Sequence, residues 1–333
     1  MGTGPTAREM VAAAEARAQA QEAAGDLGGL LETLATLAGL LSELQDEPKA
    51  RRTLNLAYQV AQNIEDQPGM AQTLHQLGFL HLLQGGWDRA LELYHRVLAL
   101  HKHSTDRRGV AMTLGSIAEV LQGKGELGKA LDTYEESLAL KMELRDEEGL
   151  PLTWNNIGTV KARMGDVPGA VEAFEKSLQL QEKLGDTLGR AVTLTNIGSI
   201  HQREGNWSEA VAAFTQSLAL YENAGNTLGM ATALNTLGLI HRRLGNVDDA
   251  YHSYARAKEI TLQLGDHLRA TIPLHNMALI HEERGEYREA LGLMEEVISI
   301  DKRIGHPDLR HDLETFGRIR EKLDRQRDQR PSA

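Results

Sequence analysis

Two stretches of the sequence repeat a set of polar side chains that has the chemistry of a recognition surface. The set is an amide, a hydroxyl and a guanidinium: Asn156, Thr159 and Arg163, then Asn196, Ser199 and Arg203. Their spacings of three and four residues place each set on one face of an α-helix. An Asn side chain has donors and an acceptor and can pair with a peptide bond, whereas the planar Arg guanidinium binds a carboxylate bidentately. The pattern therefore indicates a surface that recognises a peptide backbone and acidic groups.

The same columns continue less regularly in the two copies that follow. The next copy keeps Arg243 but has Thr236 and Leu239, with Asn235 one step aside, and the last copy has Asn276 followed by Glu283. We therefore take ten residues as the candidate peptide-binding set: Asn155, Asn156, Thr159, Arg163, Asn196, Ser199, Arg203, Asn235, Arg243 and Asn276. The interruptions at Thr236 and Glu283 leave open where the ladder ends, and these Arg could instead neutralise nearby acids.

A tandem repeat positions these side chains. Shifting the sequence by 40 residues aligns seven copies, one of which is Gly149–Leu188. One column is always Ala: Ala50, Ala90, Ala130, Ala170, Ala210, Ala250 and Ala290. Another column has Gly in six copies and Gln45 in the first. Self-similarity at a period of about 40 residues predicts a solenoid built from repeated units.

Each unit is predicted to contain two helices. In the Gly149–Leu188 unit the apolar residues follow helical spacing, and Gly165 and Gly185 mark the two helix ends because Gly tolerates the left-handed conformation. Asp186 is expected to cap the next first helix. Asn206 and Glu209 have the spacing of a capping box.

Small and aromatic residues are expected to pack together between the two helices. Gly158 and Ala170 would let the helix backbones approach closely, while Trp154 and Phe174 fill the space beside them. We therefore interpret the aromatic residues as core and not as a cofactor site.

This pattern resembles the tetratricopeptide repeat over roughly residues 9–308. The matching residues are Trp154, Ile157, Gly158, Ala170 and Phe174, with Ser177 in the last small position. The unit length is similar to that of the Pins/Leu-Gly-Asn repeat adaptors, kinesin light chains and bacterial peptide-responsive regulators. The resemblance implies an all-α, right-handed superhelical solenoid of antiparallel helix pairs. It also implies that the polar face of the first helices lines a concave groove, where Asn binds a ligand's backbone and basic residues bind its carboxylates.

The register suggests four segments along the chain. Residues 1–7 are expected to be a disordered leader, and residues 8–308 an unbroken solenoid of a half repeat and seven full repeats. Residues 309–328 are expected to form a polar capping helix, because an exposed stack end requires one. Residues 329–333 are expected to be a disordered tail. We interpret the basic residues between Arg318 and Arg330 as part of this solubilising end, since the net charge of −11 opposes nucleic-acid binding.

Several other functions find no support in the sequence. No Cys is present, so a disulfide framework and Cys-based zinc sites are excluded. No phosphate-binding Gly loop, zinc-protease helix or nucleophile elbow occurs, and we expect neither enzyme activity nor a cofactor. No secretory signal or membrane span is evident, so a cytoplasmic protein is expected. The start Met1-Gly2 with Thr6 matches a myristoylation pattern, which we treat as a chance match.

Four His residues form a column of their own: His81, His201, His241 and His281. Neighbouring first helices lie about 8–10 Å apart, too far for several of these His to share one metal. We expect them to pack and to form hydrogen bonds. A pH-sensing role is the alternative, because His titrates near neutrality.

The favoured function is a non-enzymatic scaffold that holds an extended protein or peptide segment in its groove. The Arg residues favour a ligand that is acidic or has a free C-terminal carboxylate. Two alternatives stay open: a sensor whose solenoid changes pitch when a signalling peptide binds, and a scaffold that self-associates. No nucleic acid or membrane partner is expected, and a homo-oligomer is compatible with the sequence.

Overall fold

The computed structural model describes residues 6–328, and this part of the chain consists of α-helices joined by short turns. The helices are α1 Ala7–Ala24, α2 Leu27–Glu43, α3 Glu47–Asn63, α4 Gln67–Leu83, α5 Trp87–His103, α6 Arg107–Lys124, α7 Leu127–Glu143, α8 Leu150–Met164, α9 Val167–Leu184, α10 Thr187–Glu204, α11 Trp207–Asn223, α12 Thr227–Arg243, α13 Val247–Gln263, α14 His267–Glu283, α15 Tyr287–Ile304 and α16 Leu309–Asp328. Residues 1–5, with the Met1-Gly2 pattern, and the tail 329–333 lie outside the described residues.

The chain divides into two compact units, residues 1–173 and 174–333. In the first unit α2, α4, α6 and α8 are the first helices of their pairs, and α1, α3, α5 and α7 are second helices. In the second unit α10, α12, α14 and α16 are first helices, and α11, α13 and α15 are second helices. Helices that follow each other within a unit pack together. The all-α helical-repeat solenoid is therefore confirmed.

The turns confirm two of the predicted helix ends and correct one predicted cap. Gly165 and Gly185 have φ values of +89° and +69°, and Asp186 Oδ1 accepts from the Gly189 N–H at 2.8 Å. By contrast, the side chain of Asn206 makes no capping hydrogen bond, so the predicted capping box with Glu209 is wrong. At Gly189 a Cβ would lie 2.0 Å from Oδ2 of the capping Asp186 side chain.

The small residues of the first helices make room for rings. A Cβ on Gly198 would lie 2.9 Å from the ring of Phe214, and one on Gly238 would lie 2.6 Å from the ring of Tyr254. Phe214 is only 2% exposed and Tyr254 is fully buried. At these two positions a ring of the next helix occupies the space beside the small residue.

Buried hydroxyls add a second type of contact between helices. Ser137 on α7 donates to the Ala111 carbonyl of α6 at 2.7 Å, and Ser217 on α11 donates to the Ala191 carbonyl of α10 at 2.7 Å. Both serines are fully buried. Each bond ties a second helix to the first helix of its own pair, and therefore helps to set which face of the first helix points outward.

Gly238→Ala is expected to lower the free energy of unfolding by about 1–3 kcal/mol, because the added methyl group overpacks the site against Tyr254. Gly292→Ala is the matched control. Gly292 lies inside α15, and a Cβ added there would have no neighbouring atom within 4 Å, so its substitution should raise the free energy of unfolding by about 0.5–1 kcal/mol. Chemical denaturation measures both. Equal effects of the two substitutions would contradict the ring contact.

Candidate functional site

In the second unit the candidate arginines lie on the outward side of the first helices. The side chain of Arg203 is 50% exposed, and its Nε atom makes a long ion pair of 3.8 Å with Glu204 Oε1. The guanidinium of Arg243 lies over the Trp207 ring, 5.7 Å from its centroid. Stacking on the ring orients this cation without neutralising it. Both guanidinium groups therefore remain able to bind a carboxylate.

The candidate amides of the second unit lie deeper in the same face. Asn196, Asn235 and Asn276 are half-buried, and Asn276 Nδ2 donates to the Ile272 carbonyl of its own helix at 3.0 Å. The Oδ1 atom of Asn235 is buried without a hydrogen-bond partner among the described residues. A buried polar atom without a partner is costly.

The hydroxyl positions of the face are engaged within their helices. Ser199 Oγ donates to the Thr195 carbonyl at 2.8 Å, and Thr159 Oγ1 donates to the Asn155 carbonyl at 3.0 Å. A hydroxyl that donates in this way still offers acceptor lone pairs. Ser199 and Thr159 can therefore contribute acceptors to a ligand.

The first unit presents its candidates differently. Asn155 is only 7% exposed, so it lies beneath the outward face, while Asn156 is half-buried. Arg163 Nη1 donates to the Gln122 carbonyl of α6 at 2.8 Å. Arg163 thus connects two neighbouring first helices, in addition to any contact that its remaining donors make.

The basic column ends at α14. Glu283 stands in the Arg position and pairs with Arg242 of α12. This ion pair places α12 and α14 side by side and takes up the local positive charge. In the second unit, the exposed guanidinium groups of the column are therefore those of α10 and α12.

A cavity of about 470 Å³ opens at the end of this face, between α14 and the segment that leads into α16. Its lining residues are Leu268, Arg269, Thr271, Ile272, His275, Asn276, His306, Asp308, His311 and Asp312. His275 Nδ1 lies 2.5 Å from Asp312 Oδ1, and the rings of His275 and His311 stack with centroids 5.7 Å apart. Sequence reasoning missed this cluster, because it combines residues from outside the repeated columns.

A buried carboxylate lies behind the cavity. Asp301 is fully buried on α15, with His306 Nδ1 3.9 Å from its Oδ1 atom. Burial raises the pKa of Asp301 to about 6, and the hydrogen bond and negative charge of Asp312 add to this effect. Asp308 also raises this pKa, whereas His306 lowers it. The neutral carboxylic acid is therefore the form that fits beside Asp312.

The sign of the pH dependence follows from the raised pKa. A carboxyl group whose pKa is about 6 in the folded state, against an ordinary 3.8, binds its proton more tightly when folded. Its contribution to stability is fully present below about pH 4 and is lost as the pH rises through 6. At neutral pH the second unit therefore has a buried charge that disfavours the packing of α16 on α15.

Asp301→Asn is expected to raise the free energy of unfolding at pH 7.5 by up to about 3 kcal/mol, because the neutral amide can donate to Asp312. The gain should disappear near pH 4, where Asp301 is protonated. Chemical denaturation across this pH range measures the difference. Asp308→Asn, at a side chain that is 70% exposed, is the control and should change stability little. A destabilised Asp301→Asn protein at pH 7.5 would show that the buried charge is favourable.

The basic residues of α16 have a structural partner. Arg318 Nη2 lies 2.8 Å from Glu282 Oε2, and Lys322 Nζ lies 2.9 Å from Glu282 Oε1. Burial raises the pKa of Glu282, but the hydrogen bonds and charges of Arg318 and Lys322 outweigh it and lower the pKa overall. These two cations hold α16 against α14.

The His column packs within the repeats. His281 Nδ1 lies 2.6 Å from Glu286 Oε2, and its ring meets the Tyr251 ring edge-on at 5.3 Å. His241 Nδ1 is buried without a partner among the described residues. Across residues 6–328, no group of three His, Asp or Glu side chains is arranged to hold a metal ion.

Sequence profiles of the tetratricopeptide repeat match most of the chain. One matches residues 69–143, 150–223 and 229–303, and another matches residues 195–261. Because these matches cover more than half of the sequence, the chain belongs to the tetratricopeptide repeat family. A profile of anaphase-promoting complex subunit 5 matches residues 19–85. No curated protein sequence matches the chain.

Solved structures share the fold at low sequence identity. A Rap protein complexed with Competence and Sporulation Factor superposes with a TM-score of 0.60 at 16% identity, covering 96% of both chains. A signal transduction ATPase with a tetratricopeptide repeat sensor, from Pyrococcus horikoshii, gives 0.62 at 12% identity and covers 97% of this chain and 55% of that one. The apo form of RapI gives 0.58 at 13% identity, covering 77% of this chain and 99% of that one.

One further property concerns membranes. Within residues 6–328, no helix has the length and apolar character needed to span a bilayer.

Proposed function

We propose that this protein is a non-enzymatic scaffold that binds a protein or peptide segment on the outward face of its first helices. The observation that carries the proposal is the pair Arg203 and Arg243, two cations at the same position of successive first helices. Arg203 Nε makes a long, exposed ion pair of 3.8 Å with Glu204, and the guanidinium of Arg243 stacks on the Trp207 ring. Exposed guanidinium groups in register suit a ligand with several carboxylates.

Half-buried amides on the same face support a polypeptide ligand. Asn235 lies on α12, two helical turns before Arg243, and Asn side chains pair well with peptide groups. The half-buried Asn196 and Asn276 extend the same amide chemistry to α10 and α14.

The net charge of −11 supports a basic site that is selective among acidic ligands. An acidic protein repels acidic segments in general, so a local basic site on it selects the segment whose carboxylates fit. Each charge-assisted hydrogen bond would contribute about 1.5–3 kcal/mol where it is desolvated. Several such contacts give useful affinity without a deep pocket.

The structural likeness is compatible with this function. The Rap protein that shares the fold was solved in complex with Competence and Sporulation Factor, and the ATPase contains its tetratricopeptide repeats as a sensor. The Rap structure is thus a helical stack with a bound partner, and the ATPase has a repeat stack used for sensing. We propose a binding role of this kind for the present chain.

Arg203→Glu combined with Arg243→Glu is expected to weaken ligand binding at least about tenfold, a loss of about 1.4 kcal/mol or more. The ligand is first captured from lysate of the source organism with the wild-type chain and identified by mass spectrometry. Its dissociation constant for each variant is then measured by calorimetry. The far-ultraviolet circular dichroism should be unchanged, because both side chains are on the surface.

The matched control is Arg256→Glu with Arg288→Glu, which introduces the same charge change on the second helices α13 and α15. This control should leave the dissociation constant within a factor of about two, apart from a general electrostatic effect. An unchanged affinity of the Arg203/Arg243 variant would rule out the proposed face.

A further inference from the structure

The first helices of the second unit present apolar side chains to solvent at their N-terminal halves. The residues are Leu188 (44% exposed), Val192 (41%), Leu228 (43%), Leu268 (51%) and Ile272 (52%). We call them the apolar strip. They come from α10, α12 and α14 at equivalent repeat positions. Single exposed apolar residues are normal on a surface, but a contiguous set marks a binding surface.

The apolar strip shares its face with the proposed binding residues. Along α10, Leu188, Val192, Asn196, Ser199 and Arg203 follow each other at spacings of three and four residues, which places them on one side of the helix. The order along α12 is Leu228, then Asn235 and Thr236, then the 48% exposed Leu239, then Arg243. Both helices therefore begin with apolar side chains and end with a basic one.

The strip positions recur on successive first helices of the second unit. Consecutive helices from α10 to α14 pack together, and the Arg242–Glu283 pair connects α12 with α14. One edge of the face is thus apolar over three first helices, and the opposite edge is basic over α10 and α12. The cavity beside α14, with Leu268 and Ile272 in its wall, continues the apolar edge.

We propose that the ligand of this face is an extended segment with apolar side chains along one edge and carboxylates along the other. This inference rests on the proposed function and specifies its ligand. In an extended chain, successive side chains point to opposite sides. A segment that alternates aliphatic and acidic residues would therefore place its aliphatic residues on the apolar strip and its carboxylates at Arg203 and Arg243.

Charge complementarity selects this occupant. A purely acidic segment would leave the apolar strip in water, whereas a purely apolar one would bury Arg203 and Arg243 without a counter-charge, which is costly. Only a segment with both aliphatic and acidic side chains covers the apolar strip and also pairs the guanidinium groups. The central amides then bind its backbone, which lies between the two edges.

The test is selection from a phage-displayed library of random dodecapeptides on the immobilised full chain. Three variants are compared with wild type: a strip variant (Leu188→Ser, Leu228→Ser and Leu268→Ser), a basic-edge variant (Arg203→Glu and Arg243→Glu) and a matched control. The control, Leu244→Ser with Ile304→Ser and Leu313→Ser, replaces side chains that are 42–44% exposed but lie outside the strip.

Wild type and control should enrich peptides in which aliphatic and acidic residues alternate. The strip variant should keep the acidic enrichment but bind the selected alternating peptides at least about tenfold more weakly. The basic-edge variant should lose the acidic enrichment. Equal binding of these peptides to the strip variant and wild type would overturn the inference, while leaving the proposed function intact.

Two other outcomes separate the remaining possibilities. Acidic enrichment that persists on the basic-edge variant, or no enrichment on wild type, would contradict the proposed function and the inference together. A concentration-dependent dimer in light scattering that the strip substitutions abolish would assign the strip to a second copy of this chain, and would also overturn the inference.

Discussion

The contact between a small residue on a first helix and a ring on the following second helix is the constraint on which the pairs α10–α11 and α12–α13 depend. Where the residue is Gly198 or Gly238, no space exists for even one more carbon atom beside Phe214 or Tyr254. Because the core is close-packed, this contact sets both the distance and the rotation of the two helices. The buried Ser217 bond to the Ala191 carbonyl adds a directional restraint to the same pair.

Once the rotation of each first helix is set, its outward side chains are determined as well. The core takes one side of the helix, so residues such as Val192 and Arg203 necessarily point away from the paired helix. Because the unit repeats, the same side of each first helix faces outward. The outward side chains therefore form a row without any added loop or insertion. In the second unit α10 and α12 begin with apolar side chains and end with a basic one, so the face has two chemically different edges.

The end of the chain departs from the repeated chemistry. Lys141 in the first unit donates to Thr153 at 2.8 Å, and burial lowers the pKa of this lysine. The equivalent column position in the last full repeat is Asp301, which instead faces Asp312 and has a raised pKa. Nearby, Arg318 and Lys322 satisfy the buried Glu282. The closing helix is therefore held by one favourable charge cluster and opposed by another, which makes its packing sensitive to pH.

The sequence alone determined the repeat, its helical nature, the turn glycines and the columns that face the core, because a period of 40 residues shows each of these several times. It also indicated the amide and basic columns on the first helices. Only the tertiary structure decided how each side chain is used: Asn155 is buried, Arg163 binds the Gln122 carbonyl, and Arg203 stays exposed. The physical reason is that the position of a residue in the repeat fixes the direction in which its side chain leaves the helix. Its hydrogen-bond partners depend instead on which neighbouring atoms lie within about 3 Å. The Asp301–Asp312 contact was likewise not predictable, since α16 leaves the repeat and its neighbours are set by packing.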